Sequence, residues 1–271
     1  MVQSNFKRDF IFSITIAVLT VIASAGGLLA GWLYRDNVWT TSQLRGNDLV
    51  TLFVAVPLLL AAVFLSKRGS LRAQLVWFCI LDYTLYNYAF YLFGAAFNRL
   101  FLIYTALFVL SIFALIFGLA GLNVNELNKR LRKRTPVKLV SSYMIFWAVG
   151  IGGLWVMQSV NFILTGKIPQ VIIDTGHPTC IVFALDLSLL VPFLILGAVW
   201  LWKRRPWGLI LSVILNVKGA VYALALTAMA ISAAKADIPG ASSLVPLWLF
   251  FTAASFTACL LLLVNIKEQA E

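Results

Sequence analysis

The chain is organised as long apolar stretches separated by short polar segments. Each stretch is close to or above the roughly 20 residues that cross a bilayer as a helix. The first stretch follows a basic start, as in a signal peptide, but it exceeds the apolar core of about 7–15 residues in such a peptide, so we expect a retained span. The pattern predicts eight transmembrane helices, which cover residues 10–34, 48–66, 72–97, 99–121, 139–165, 179–202, 206–233 and 242–266.

The composition agrees with a membrane protein. Hydrophobic residues make up 62% of the 271 residues and charged residues 11%, against about 25% charged in an ordinary soluble domain. The mean hydropathy is +0.95. We therefore expect an all-α polytopic membrane protein, with residues 1–271 forming a single membrane domain in the plasma or inner membrane.

The basic residues indicate how the chain crosses the membrane. The net charge of +11 does not favour nucleic-acid binding, because these residues cluster in short segments between apolar stretches and act as topology signals. With both termini cytoplasmic, most of them lie inside, many in a basic cytoplasmic linker at 122–138, and the expected partners are anionic lipid headgroups. The inner set is Lys7, Arg8, Lys67, Arg68, Arg72, Lys129, Arg130, Arg132, Lys133, Arg134, Lys138, Lys203, Arg204, Arg205 and Lys267, and the outer set is Arg35, Arg45, Arg99, Lys167 and Lys235.

The two halves of the chain are similar to each other. The second stretch ends in VPLLLAAVFLSKRG and the sixth in VPFLILGAVWLWKRR, while the third reads ILDYTLYNY where the seventh reads ILNVKGAVY. Asp82 then corresponds to Asn216. The pattern predicts two parallel four-helix repeats, residues 1–121 and 139–266, an arrangement found in transporters that bind substrate where the halves meet. The alternative is a duplication that only enlarged a helical bundle.

Three charged residues lie well inside the predicted spans: Asp82, Asp186 and Lys218. A lysine at the bilayer centre costs roughly 2.5–3.5 kcal/mol on insertion scales, so such groups pair or face a polar cavity. Because a short turn joins the sixth and seventh spans, we expect Lys218 to pair first with Asp186 and second with Asp82. The group is interpreted as a functional centre, and the alternative is an ion pair that fixes helix register.

Further polar side chains extend this group. Asp82 and Tyr86 share one face of the third span, Asn87 lies on the adjacent face, and Tyr222 lies one turn after Lys218. We expect both faces to point into the bundle, because polar groups facing lipid are unfavourable. The candidate residues for substrate or ion binding are Asp82, Tyr86, Asn87, Asp186, Lys218 and Tyr222.

An outer loop, IPQVIIDTGHPTC, places Asp174 and His177 above this region. Its Asp-Thr-Gly-His-Pro segment indicates a turn, because Asp and Gly form turns and the residue before proline avoids helix. The alternative is a lip at the outer side, in which His177 accepts protons near Asp186.

Histidine and cysteine usage gives no metal site. His177 is the sole histidine, and the three cysteines are far apart in sequence. A lysine on the seventh span and a carboxylate on the third also occur in retinal photoreceptors, but eight spans, a cytoplasmic N-terminus and the duplication argue against that class. We expect no bound cofactor.

Three classes of function remain open from the sequence. The first is a small-solute or proton-coupled transporter, in which Asp82 and Asp186 line a polar cavity and Lys218 neutralises them in turn. The second is an intramembrane enzyme for a lipid or isoprenoid substrate that uses acid–base chemistry, although HExxH, GxSxG and aspartate-rich diphosphate motifs are missing. The third is a membrane sensory or interaction protein. Pro57 and Pro192 are expected to kink the second and sixth spans.

Overall fold

The computed structural model describes residues 6–268. The chain is 81% helical, and within these residues the sole β interaction is an isolated bridge between Leu131 and Ile266. A 3-10 turn at Ala241–Leu244 leads into the last helix. The helices in chain order are α1 Phe6–Leu29, α2 Val38–Lys67, α3 Leu71–Gly94, α4 Phe101–Ala120, α5 Val124–Lys129, α6 Val137–Thr165, α7 Gln170–Thr175, α8 Ile181–Trp202, α9 Pro206–Lys235 and α10 Val245–Leu263.

The chain is an all-α multi-pass membrane protein by the length and apolarity of its helices. Seven segments of residues 6–268 have the length and mean hydropathy of a membrane span: α1, α2, α4, α6, α8, α9 and α10 with its preceding turn. α3 has 24 residues, which at 1.5 Å per residue gives about 36 Å, enough to cross a bilayer. Its tyrosines, together with Asp82 and Asn87, make α3 more polar than the other long helices.

The start of the second span differs from the prediction. α1 ends at Leu29 rather than near residue 34, and α2 begins at Val38 rather than at residue 48. The side chain of Asn37 caps α2 by accepting a hydrogen bond from the amide of Thr40 at 2.9 Å. Asp48 therefore lies inside the helix, because the polar first turns of α2 have too little apolar character to be recognised from hydropathy.

α2 and α8 each contain a π-helical turn immediately before a Val-Pro pair. In both turns the amide of the valine donates to the carbonyl five residues earlier. A proline ring clashes with the carbonyl four residues back and supplies no amide hydrogen, and a widened turn accommodates both effects. The two π turns are Thr51–Ala55, before Pro57, and Asp186–Leu190, before Pro192.

α9 is the central helix of the bundle. In its apolar window 72% of the residues are buried, against 22–39% in the other six candidate spans. It packs against α2, α3, α8 and α10. A Cβ on Gly46 of α2 would meet the backbone of Ala228 and Met229, and one on Gly219 would meet the ring of Trp147 from α6. Glycine thus lets α2 and α9 approach to backbone contact and lets an aromatic ring of α6 pack against α9, as is common in membrane bundles.

The segment after α10 folds back onto the bundle and hydrogen-bonds to two loops, the one before α6 and the one before α3. The amide of Arg132 donates to the carbonyl of Asn265 at 3.0 Å. The carboxylate of Glu268 accepts from the Ser70 hydroxyl at 2.9 Å and from the Leu71 amide at 2.8 Å. A negative side chain at a helix N-terminus complements the helix dipole, so Glu268 stabilises the start of α3.

Candidate functional site

Lys218 of α9 forms its ion pair with Asp82 of α3. Lys218 Nζ lies 3.2 Å from Asp82 Oδ2, and the two side chains are 6% and 22% exposed. The expected first pairing with Asp186 is wrong, and the second expectation is the one observed. The reason is Tyr86 of α3, which lies between the two groups. Its ring centre is 4.1 Å from Lys218 Nζ, and its hydroxyl donates a hydrogen bond to Asp186.

Asp186 of α8 is held by two hydrogen-bond donors from different helices. The hydroxyl of Tyr86 donates to Asp186 Oδ1 at 2.5 Å, and the indole nitrogen of Trp155 in α6 donates to Oδ2 at 2.8 Å. Asp186 is 1% exposed. It is also the first residue of the π turn in α8, whose widened geometry sets the direction of its side chain.

Tyr222 completes this group from the helical turn that follows Lys218. Its ring packs edge-on against Tyr86, with ring centres 5.1 Å apart. We call Asp82, Tyr86, Asp186, Lys218 and Tyr222 the Lys218 group. The group joins the first half of the chain to the second, because α3 contributes two of these residues and α8 and α9 contribute the other three.

The electrostatics of the Lys218 group are those of a counter-ion shared between two carboxyl groups. Asp82 pairs with the ammonium directly. Tyr86 links the same ammonium to Asp186, since its ring face attracts a cation and its hydroxyl donates to the carboxylate. The group therefore contains two carboxyls for one ammonium, and gain or loss of one proton would change its charge balance.

A second polar network, which sequence reasoning missed, surrounds Asp48 of α2. Its two carboxylate oxygens accept from the hydroxyls of Tyr34 and, at 3.0 Å, of Tyr91. The side-chain amide of Asn47 donates to Asn87 at 2.7 Å and to Tyr91 at 3.0 Å. We call these five residues the Asp48 network. Asn87 therefore belongs here and not to the Lys218 group.

The Asp48 network packs directly against α1 at a glycine, Gly27, whose lack of a side chain leaves space for it. A Cβ on Gly27 would collide with both the Asp48 carboxylate and the Tyr34 hydroxyl. Tyr34 lies in the turn after α1, and burial together with the neighbouring Asp48 raises the pKa of its hydroxyl, which keeps it a hydrogen-bond donor. The predicted second span begins at Asp48, and a carboxylate at the end of a transmembrane helix is ordinarily exposed to water. A polar run with Asn-Asp just before an apolar stretch was the available signal.

The outer-loop candidates contact the turn between α1 and α2. His177 Nε2 lies 3.3 Å from Asp36 Oδ1, and the Asn37 side chain donates to the carbonyl of Asp174 at 2.8 Å. The partner of His177 is thus Asp36 rather than Asp186. The predicted turn is found only from Gly176 onward, where the φ of 67° ends a short helix. Asp174 and Thr175 lie in that helix, α7, which the sequence pattern did not predict.

Two cavities of about 590 Å³ each lie outside the Lys218 group and the Asp48 network. The first is an apolar cleft between α6 and α8. Its wall includes Phe183, which stacks on Trp155 with ring centres 4.3 Å apart and so lies one side chain from Asp186. The second is lined by three cations, Lys67, Arg68 and Arg130, and by one carboxylate, Glu126, which pairs with Arg130 at 3.4 Å.

Within residues 6–268, no three His, Cys, Asp or Glu side chains come together in a way that could hold a metal ion. The Lys218 group and the Asp48 network combine carboxyl, phenol and ammonium groups, whose chemistry is proton exchange and charge compensation. Compared with protein-family models, curated proteins and solved structures, the chain has no match.

Proposed function

We propose that the protein is a proton-coupled transporter of small solutes, with the Lys218 group as its coupling element. The observation that carries this proposal is the ion pair of buried Lys218 with partly buried Asp82, linked through Tyr86 to a fully buried carboxyl, Asp186. Ionisable groups inside a membrane bundle are costly and mark substrate, ion or proton pathways.

The proposed mechanism moves one ammonium between two carboxylates. A proton that binds Asp82 ends its ion pair with Lys218, and the freed ammonium then compensates Asp186 on the other side of the Tyr86 ring. Loss of that proton restores the first pairing. Because the three charged residues lie on α3, α8 and α9, each exchange changes the contacts between the halves of the bundle.

The architecture that we propose for this transporter has eight spans in two parallel four-helix repeats. α3 would be the eighth span, tolerated because its polar residues face protein neighbours rather than lipid. The repeat is supported by the two π turns, which occupy corresponding places before Pro57 and Pro192. Both termini would be cytoplasmic, since this puts most Lys and Arg on the inner side of a plasma or inner membrane.

Anionic lipid headgroups are the partners that we propose at the inner face. The basic cavity with Lys67, Arg68 and Arg130 would receive a headgroup phosphate, because a charged donor hydrogen-bonds strongly to phosphate oxygens. Wild-type protein should bind phosphatidylglycerol vesicles more tightly than Lys67→Gln/Arg68→Gln, and equal binding would contradict this.

The transport proposal is tested with proteoliposomes that contain a pH-sensitive dye. A panel of small amines, carboxylic acids, amino acids and sugars is added outside, and dye fluorescence reports movement of protons with the solute. We expect at least one solute to acidify the interior with wild-type protein, and Asp82→Asn and Lys218→Met to abolish the signal. Val109→Ala, at an exposed position of α4, is the matched control. A wild-type protein that moves protons with none of these solutes would contradict the proposal.

A second candidate is an intramembrane enzyme acting on a lipid or isoprenoid. It is favoured by the apolar cleft, which runs from the outside of α6 and α8 to within one side chain of Asp186. Such an enzyme would change the mass of lipids incubated with purified protein and need no gradient. Mass spectrometry of those lipids distinguishes it from a transporter, which leaves them unchanged.

A further inference from the structure

If Asp48 is ionised and the tyrosines are neutral, the Asp48 network has one hydrogen too few for its hydrogen-bond contacts. The Tyr91 hydroxyl has two acceptors, the Leu44 carbonyl at 3.2 Å and Asp48 Oδ1 at 3.0 Å. The Asn47 amide also donates to the same hydroxyl oxygen at 3.0 Å. A tyrosine hydroxyl carries a single proton, and neither a carbonyl nor an ionised carboxylate can donate.

Adding one proton to Asp48 gives every contact its own hydrogen. Asp48 Oδ1 then donates to the Tyr91 oxygen, and Tyr91 turns its proton to the Leu44 carbonyl. Tyr34 continues to donate to Asp48 Oδ2. Asp186 differs in this respect, because its two partners, Tyr86 and Trp155, are donors that serve an ionised carboxylate.

No cation pairs directly with Asp48 among the described side chains, although Arg45 lies one turn earlier on the same helix. Asp48 is 2% exposed. An ionised carboxylate buried without a paired cation costs several kcal/mol, about what is needed to favour the neutral form.

The titratable groups that face Asp48 come from each element around it. Tyr34 comes from the turn after α1, and Tyr104 comes from α4. α3 contributes three tyrosines, Tyr83, Tyr88 and Tyr91. Arg45, one turn earlier on α2, is the sole cation among them. From α9, the backbone of Ala228 and Met229 lies against Gly46, two residues before Asp48, and this backbone does not titrate.

We propose that Asp48 is a proton-binding site, occupied at neutral pH by a proton on Oδ1 that is held between Tyr91 and Tyr34. Binding adds one proton to the carboxylate and turns the Tyr91 hydroxyl from Asp48 to Leu44. The site is separate from the Lys218 group and does not rest on the proposed transport function.

Infrared spectroscopy of the purified protein at pH 7 tests this site. A protonated carboxyl gives a C=O stretch above the amide band that moves to lower frequency in D₂O. We expect this band in the wild type, in Asp82→Asn and in Asp186→Asn, and its loss in Asp48→Asn. A wild-type spectrum without the band, or a band unchanged in Asp48→Asn, would overturn the proposal.

Two further measurements keep the test decisive if Asp48→Asn fails to fold. Tyr91→Phe should shift the band, because the hydroxyl that accepts from Asp48 is removed, while Arg45→Met should leave it in place. Adding NaCl or KCl at constant pH should not change the band. If either salt removed the band, a monovalent cation would be displacing the proton from Asp48, and this result would overturn the proposal.

Discussion

At the scale of single residues, the ion pair between Lys218 and Asp82 sets the sharpest expectation. Removing one partner of a buried pair leaves the other charge uncompensated and costs about 3–5 kcal/mol, whereas removing both costs much less. Lys218→Met and Asp82→Asn should each lower the melting temperature in detergent, and the double variant should recover most of the loss.

The same cycle with Asp186 provides the matched control. Lys218→Met combined with Asp186→Asn should show weaker coupling, because Asp186 has Tyr86 and Trp155 as its direct partners. Strong coupling to Asp186 with none to Asp82 would contradict the observed pairing and restore the one expected from chain connectivity.

Gly27 is the residue on which the Asp48 network depends for space. A Cβ at this position would overlap the Asp48 carboxylate and the Tyr34 hydroxyl. Gly27→Ala should therefore destabilise the protein by about 1–3 kcal/mol, the usual effect of overpacking. Gly150→Ala in α6 is the control, since nothing lies within 4 Å of its Cβ and alanine is roughly 1 kcal/mol better than glycine inside a helix. Equal melting of the two variants would contradict this expectation.

At the scale of elements, α3 brings the polar chemistry of the protein together. Tyr86 is hydrogen-bonded to Asp186 and Tyr91 is hydrogen-bonded to Asp48, so this one helix contacts both carboxyl groups from different faces. The division into two faces follows from helical periodicity and was predictable for Asp82, Tyr86 and Asn87. The partners on the other helices were not predictable, because they depend on how the spans are arranged around one another.

The course of α2 shows why part of the site escaped prediction. Hydropathy locates the apolar part of a helix, and the polar turns from Val38 to Asp48 carry little of that signal. The π turns were also missed, although Pro57 and Pro192 were expected to distort their helices. A proline indicates a distortion, but whether it becomes a kink or a widened turn depends on the packing around it.

The start of α3 offers a test of an element boundary. Glu268 accepts hydrogen bonds from Ser70 and from the Leu71 amide. Glu268→Gln removes a negative charge from the helix N-terminus, which is worth roughly 0.3–1 kcal/mol, so amide exchange at Leu71 should become about two- to fivefold faster. Asp237→Asn, which removes an exposed carboxylate just after the end of α9, should leave that exchange unchanged. Unaltered exchange in Glu268→Gln would show that the contact does not hold the helix end.

At the scale of the whole molecule, α9 determines how the halves meet. It is the most buried candidate span, it carries Lys218, and its backbone contacts α2 at Gly46. Lys218 is 5% exposed, so its ammonium needs a counter-charge inside the bundle, and Asp82 of α3 supplies it at 3.2 Å. The ion pair therefore joins the most buried span to a helix of the first half of the chain.

The number of spans and their orientation can be measured together by cysteine labelling of intact cells. In a background without Cys180, single cysteines replace Lys133, Val38 and Phe97, the last two being 66% and 71% exposed. If the N-terminus is cytoplasmic and α3 crosses the membrane, a membrane-impermeant maleimide should label positions 38 and 97 in intact cells, and position 133 after permeabilisation. Position 97 decides the count, because it follows α3. Labelling at 38 but not at 97 would mean that α3 does not cross the membrane. The protein would then have seven spans, and position 133 would lie on the side of the membrane opposite to the N-terminus.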